Sequence, residues 1–149
     1  MRPLNFLPIF LFAVIIVIAY LSLNYSSNNV DKLTEVKLEL NNGEILDLKE
    51  LHGRPYIIRL FASWCSACKE DSLQLKELSK RMNAPIIGIA INDDIEKVKL
   101  LEEKEKLPYN YIAIDSDSRL KKLLNNKVLP ETIIVDKDGN IILRHQGSF

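Results

Sequence analysis

Pro55-Tyr56-Ile57-Ile58-Arg59-Leu60-Phe61 is a nearly unbroken apolar run, and it leads almost directly into Trp64-Cys65-Ser66-Ala67-Cys68, which holds both cysteines of the 149-residue chain. An apolar run of this length reads as a strand buried on both faces, the kind found inside a sheet covered by helices. From Ala67 to about Met82, Leu75, Leu78 and Met82 recur at helical spacing and Leu73 widens the stripe, so the pattern predicts one amphipathic helix. The cysteine pair therefore falls where a buried strand hands over to a helix. A thiol at a helix N-terminus meets unpaired backbone N–H groups, which favour the thiolate, the form that attacks disulfides. Cys65 is the candidate nucleophile. Cys68, one turn further on, is the candidate resolving thiol.

Other uses of two cysteines fit less well. A bridge between positions three apart restrains the unfolded chain very little, so stapling is a weak explanation. Zinc needs further ligands, and His52 and His145 lie far away without paired spacing, so no metal is expected. Two inert buried thiols remain open, although Trp64 before the pair and the polar helix after it point to an exposed rim. The dithiol itself is then the only redox group, and no separate cofactor is implied.

The rest of the chain places this junction in an α/β frame. Val36, Leu38 and Leu40 alternate with polar residues, and Asn41-Asn42-Gly43 turns the chain towards Ile45, Leu46 and Leu48 as an opening hairpin. Ile86 to Ile91 is a second buried strand, and Asn92-Asp93-Asp94 offers caps for a helix carrying Val98, Leu101 and Leu107. Tyr109 to Ile114 reads as a short or edge strand, and Ser116 or Ser118 as the cap of a brief helix through Leu124. Thr132 to Val135 is strand-like and turns at Asp136-Lys137-Asp138-Gly139 into Asn140 to Arg144. Strands alternating with helices and closing in a hairpin predict a mixed sheet with helices on its faces.

No charged side chain stands between Arg2 and Asp31, and residues 4–23 approach the length of about 20 apolar residues that crosses a bilayer. The expectation is an N-terminal transmembrane helix over 1–23, contacting lipid through 4–23. A Ser/Asn-rich tether over 24–33 and one domain over 34–149 follow. Arg2 on the short flank predicts a cytoplasmic amino end and an exported domain. A cleaved signal peptide is the rival, but Ala19-Tyr20-Leu21-Ser22-Leu23 lacks a small-x-small cleavage site. With 20 basic and 20 acidic side chains, no overall charge field points to nucleic acid. The run Glu102-Glu103-Lys104-Glu105-Lys106 marks a solvated helix face.

Three segments, Phe61-Ala62-Ser63-Trp64-Cys65-Ser66-Ala67-Cys68, Leu129-Pro130-Glu131-Thr132 and Val135-Asp136-Lys137-Asp138-Gly139, give the stretch from about Thr34 to Gly147 a further character. It resembles the membrane-anchored thioredoxin-like oxidoreductases of the TlpA, ResA and DsbE (CcmG) group. The resemblance implies a thioredoxin-like sheet flanked by helices. It also implies a cis proline at Pro130 facing the dithiol, with Leu129 offering backbone hydrogen bonds to an extended substrate. Trp64, Leu129, Pro130 and Glu131 then form the candidate substrate-binding set.

The sequence departs from the group's pattern in three places. The acid position after the second cysteine holds Asp71, and Leu73 stands where a proline is common; Asp71 is a candidate proton relay for Cys68. Arg59 occupies the position at which thioredoxin carries a buried acid. A buried Arg needs a partner, Asp71 or Glu131, and its charge would lower a cysteine pKa, unless it snorkels to solvent. The group usually continues into a final helix beyond the segment matching Arg144-His145-Gln146-Gly147, so the expectation is a domain lacking that helix.

The implied activity is thiol-disulfide exchange on the outer, periplasmic side of an inner membrane, reducing disulfides of exported client proteins. Apocytochrome c is the implied client, cytochrome c maturation the process, and an upstream membrane thiol reductant the electron source. A disulfide oxidase or isomerase, or a copper-binding assembly factor, are the alternatives.

Overall fold

The computed structural model describes residues 7–25, 33 and 35–149. It divides into two compact units, Met1–Asp31 and Lys32–Phe149. In the first, α1 covers Leu7–Tyr25, and its side chains are described from 10 to 20, most of them exposed apolar groups such as Phe10, Phe12 and Ile15. Among the described residues no helix is long and apolar enough to cross a membrane. The span expected over 4–23 begins before the described residues, its side chains are described only from 10 to 20, and the tether expected over 24–33 lies largely outside the described residues.

The second unit is built on five strands in the order β5-β4-β3-β6-β7. These are β3 (Tyr56–Phe61), β4 (Ile86–Ile91), β5 (Tyr111–Asp115), β6 (Glu131–Val135) and β7 (Ile141–Gln146). β3, β4 and β5 run parallel, whereas β6 and β7 are antiparallel additions, which makes the mixed sheet the sequence predicts. Every residue of β3, β4 and β6 is buried, as expected of central strands covered on both faces, including the polar Arg59, Glu131 and Thr132. The opening hairpin, β1 (Lys37–Glu39) and β2 (Ile45–Asp47), pairs separately, and Leu40 bridges it to Ala113 of β5.

The crossovers from β3 to β4 and from β4 to β5 step the same way across the sheet, so right-handed connection places their helices on one face. Phe61, Ala90 and Ile112 on that face pack with Cys68 from the first crossover and with Val98 and Leu101 from the second. The first crossover is not the single helix expected over 67–82. It breaks at Asp71 (φ −107°, ψ 17°) into α2 (Ala67–Glu70) and α3 (Ser72–Met82), because the Asp71 side chain turns inward to meet Arg59. Leu73, expected in the apolar stripe, is consequently 77% exposed, while Leu75 is buried against Ile57 and Ile86.

α4 (Ile95–Lys104) is capped by Asp94, which accepts from the Glu96 and Lys97 amides. It ends before Leu107, which still packs against the same core. The short α5 (Arg119–Leu123) has Ser118 at its N-cap position, but the serine side chain does not do the capping. Asp115 at the end of β5 accepts from the Leu120 and Lys121 amides, while Ser118 makes no cap bond and donates to Asn92 instead.

Candidate active site

The C-terminal ends of the parallel strands are where open α/β sheets place their ligand crevices, and β3 delivers the cysteines there. The turn after β3 closes when the Cys65 amide donates to the Ala62 carbonyl at 3.1 Å. Cys65 and Cys68 are joined in a disulfide with a Cα–Cα distance of 5.4 Å. Both are mostly covered, at 7% and 5% exposure, while Trp64 beside them is 66% exposed. Trp64 is thus the rim that its position suggests.

The Leu129–Pro130 peptide bond is cis, and Leu129 packs against the cluster containing both cysteines. Pro130 is buried. A proline donates no backbone hydrogen bond, so its position just before β6 removes nothing from the strand ladder. Its carbonyl accepts from the Gly147 amide at 2.7 Å, which ties the loop to the end of β7.

Arg59 lies at the centre of the sheet and is wholly buried. In register, Ile112, Gly88, Arg59, Thr132 and His145 form one row across the five strands. Directly paired residues share a face, so the guanidinium sits under α2 and α3. Nη2 donates to Asp71 Oδ1 at 2.5 Å and Nη1 to Thr132 Oγ1 at 2.7 Å. Of the two acids expected as partners, Asp71 is the one engaged, and snorkelling is ruled out by burial. Asp71 Oδ2 also accepts from the Phe149 amide at 3.1 Å, so both carboxylate oxygens are occupied.

Tyr109 completes this layer. Its ring lies over Gly88, where a Cβ would come within 2.6 Å of it, and it contacts Phe61 with ring centroids 4.8 Å apart. Burial pushes the Tyr109 phenol well above its ordinary value; Arg59 nearby opposes this and Asp71 adds to it.

Glu131 is on the opposite face and is also fully buried. Oε1 accepts from Arg144 Nε at 2.8 Å, and Oε2 from Asn126 Nδ2 at 2.6 Å. Asn126 Nδ2 additionally donates to the Val128 carbonyl at 2.8 Å, and Arg144 Nη2 to the Leu124 carbonyl at 2.6 Å. Glu131 therefore does not line an exposed substrate surface. It anchors the loop that carries Leu129 and Pro130.

One buried acid at the site is legible in the sequence only as a helix cap. Asp93, 9% exposed, turns away from α4 and accepts from the Ser63 amide at 2.5 Å and the Ser63 hydroxyl at 2.9 Å. The available signal was an excess of acceptors: Asn92-Asp93-Asp94 supplies three where one cap suffices. Among the described residues no group of three or more His, Cys, Asp or Glu side chains is arranged to hold a metal ion.

Known proteins place this geometry. A secreted Mycobacterium tuberculosis disulfide oxidoreductase homologous to E. coli DsbE superposes with a TM-score of 0.66 at 19% identity, covering 76% of this chain and 84% of that one. StoA from Bacillus subtilis gives 0.63 at 18% identity, with 76% and 88% covered. These likenesses show a thioredoxin-like fold. In sequence, the thiol:disulfide interchange protein DsbE of Vibrio cholerae is 29% identical over 105 residues, 70% of this chain and 56% of that protein. DsbE of Escherichia coli is 30% identical over 95 residues, 64% and 51%. The chain thus spans about half the length of these curated relatives, although a 27% identical alignment with DsbE of Yersinia pestis covers 98% of this chain and 85% of that protein. Residues 29–149 match the Redoxin family, and with the cysteine pair seated at the strand-to-helix turn of a thioredoxin-like sheet, the chain belongs to that family.

Proposed function

We propose that the protein is a thiol-disulfide oxidoreductase that reduces disulfides of client proteins. The observation that carries this reading is the Cys65–Cys68 disulfide seated between exposed Trp64 and the loop of Leu129 and Pro130, where an extended client strand would dock. In the reduced protein, the Cys65 thiolate attacks one sulfur of a client disulfide. A Cys65–client mixed disulfide forms, and the first client sulfur leaves as a thiolate and takes up a proton. Cys68 then loses its proton and attacks Cys65 Sγ, which closes the intramolecular disulfide and releases the second client thiol. Two electrons pass from the dithiol to the client, and an upstream membrane thiol reductant returns them.

Apocytochrome c, whose haem-attachment thiols must be reduced before ligation, is the proposed client, supported by similarity to DsbE proteins. Anchoring in the inner membrane through residues 4–23, with the domain on the periplasmic side, is part of the same proposal and rests on the uncharged stretch between Arg2 and Asp31. Arg59 and Asp71 act together on the sheet face against which Cys68 packs. Asp71 relays the proton of Cys68 only as far as its bond to Arg59 allows, and Arg59 tunes the thiols as half of an ion pair.

Replacing Cys68 by Ser tests the activity, because the mixed disulfide on Cys65 can then no longer be resolved. Cys68→Ser expressed in the native membrane should accumulate a reducible adduct that Cys65→Ser abolishes, and the captured client identifies substrate and direction. Stoichiometric copper on the wild-type pair with no adduct would overturn the reading.

A further inference from the structure

We propose that Asp93 is a positioning residue for Cys65, holding the Ser63-Trp64 turn in the conformation from which the nucleophile reacts. This rests on the thiol-disulfide reading above but concerns a residue outside the dithiol, its proline loop and the Arg59 pair. Strands β3 and β4 are parallel neighbours, with Phe61 paired to Ala90, so the loops leaving their C-terminal ends emerge side by side. The β4 loop turns sharply at Asn92 (φ +49°), and this delivers the Asp93 carboxylate to the β3 loop instead of to α4, whose cap is Asp94. Oδ2 accepts from the Ser63 amide at 2.5 Å, and Oδ1 accepts from the Ser63 hydroxyl at 2.9 Å and the Asp94 amide at 2.9 Å.

Ser63 is therefore gripped twice by one buried carboxylate, through main chain and side chain together. The next two residues are Trp64 and Cys65, and the turn is closed from the other side by the bond from the Cys65 amide to Ala62. Nothing else among the described hydrogen bonds holds Ser63. Without Asp93, the segment between the end of β3 and α2 loses the only hydrogen bonds that, among the described residues, tie it to an element outside the crossover itself. An attacking sulfur must meet a disulfide in line and at short range, so a turn free to shift by about 1 Å costs on the order of a hundredfold in rate. Charge-assisted bonds from a carboxylate to a backbone amide are the strong kind, which suits this clamp to holding a reactive turn.

Trp64 is the only tryptophan in the chain, so its fluorescence reports this turn alone. Anisotropy decay would be measured on reduced wild type, Asp93→Ala, Asp93→Asn and Ser63→Ala, well below each variant's melting temperature. Alongside it, the rates of Cys65 alkylation by iodoacetamide and of reduction of a model disulfide would be measured. The expected result is a new fast component for Trp64 in Asp93→Ala and an exchange rate lower by roughly tenfold to a hundredfold. Asp93→Asn keeps an acceptor for the Ser63 amide and should restore most of both readouts. Ser63→Ala loses only the hydroxyl bond and should sit between wild type and Asp93→Ala. Should Asp93→Ala not fold, the graded order of wild type, Asp93→Asn and Ser63→Ala carries the test. Unchanged Trp64 anisotropy and alkylation across variants that differ only in stability would overturn the proposal. A wild type with rigid Trp64 but no disulfide exchange would instead overturn the functional reading, since the anisotropy series is scored without it.

Discussion

Arg59 carries a full positive charge at a site with no access to water, and a group of that kind persists only when a carboxylate meets it. Asp71 does so, and the energetic meaning of the pair is asymmetric. Removing either partner strands the other, whereas removing both replaces an expensive desolvation by ordinary packing. Arg59→Met is expected to lose about 3–5 kcal/mol of stability, and Arg59→Met combined with Asp71→Leu to lose clearly less than the sum of the single changes. Urea titration of the four proteins checks this, and simple additivity would mean that the two side chains do not act as a pair. The same logic governs the thiols. Asp71→Asn leaves the guanidinium uncompensated on the face where Cys68 packs and should lower the thiol pKa, and Arg59→Met leaves the carboxylate alone and should raise it. Thiolate absorbance against pH reads both, and shifts of the same sign in the two variants would detach the pair from the redox chemistry.

At the level of elements, the parts legible in the sequence are those whose burial is dictated by a run of side chains. Ile57 to Phe61 and Ile86 to Ile91 announce central strands because every position is apolar or, in the case of Arg59, has a partner elsewhere. The cysteine turn and the Asp94 cap follow from local chemistry, and the cis proline before β6 is the one the family resemblance implies. What was not legible is the choice between equivalent long-range partners. Periodicity counted Leu73 as core because nothing local says that Asp71, two positions earlier, bends inward to Arg59 and rotates the following turn. Glu131 and Arg144, thirteen residues apart, meet only because the register of β6 and β7 brings them together. The misread helix face has a direct check: Leu73→Gln should change stability by no more than about 0.5 kcal/mol, and Leu75→Ala should cost about 2–5 kcal/mol. A large loss from Leu73→Gln would restore the unbroken helix. Gly88 belongs to the same scale, since only an absent side chain lets Tyr109 lie across β4. Gly88→Ala is expected to cost about 1–3 kcal/mol through overpacking, measured by the same titration.

For the molecule as a whole, phenols are buried on both faces of the sheet, and their raised pKa values make stability depend on alkaline pH. Tyr56 shares its face with Val135, and burial, with a smaller contribution from Asp136, pushes its phenol from 10.0 up to about 12. Tyr109, on the Arg59 face, is raised further by burial. A phenol is charged when deprotonated, so raising its folded value makes folding favour the protonated form. The associated stability is whole below pH of about 10, where the unfolded chain also keeps its proton. Between about 10 and 12 the unfolded chain releases protons that the folded chain holds, and each such phenol removes about 1.4 kcal/mol per pH unit. The Tyr56 hydroxyl also lacks a hydrogen-bond partner among the described residues, so deleting it removes an uncompensated buried group. Tyr56→Phe is therefore expected to equal or exceed wild type in stability at neutral pH and to show a shallower decline above pH of about 10. Urea midpoints collected across that range decide the matter. Parallel declines for the two proteins would show that Tyr56 ionises as readily in the folded chain as in the unfolded one.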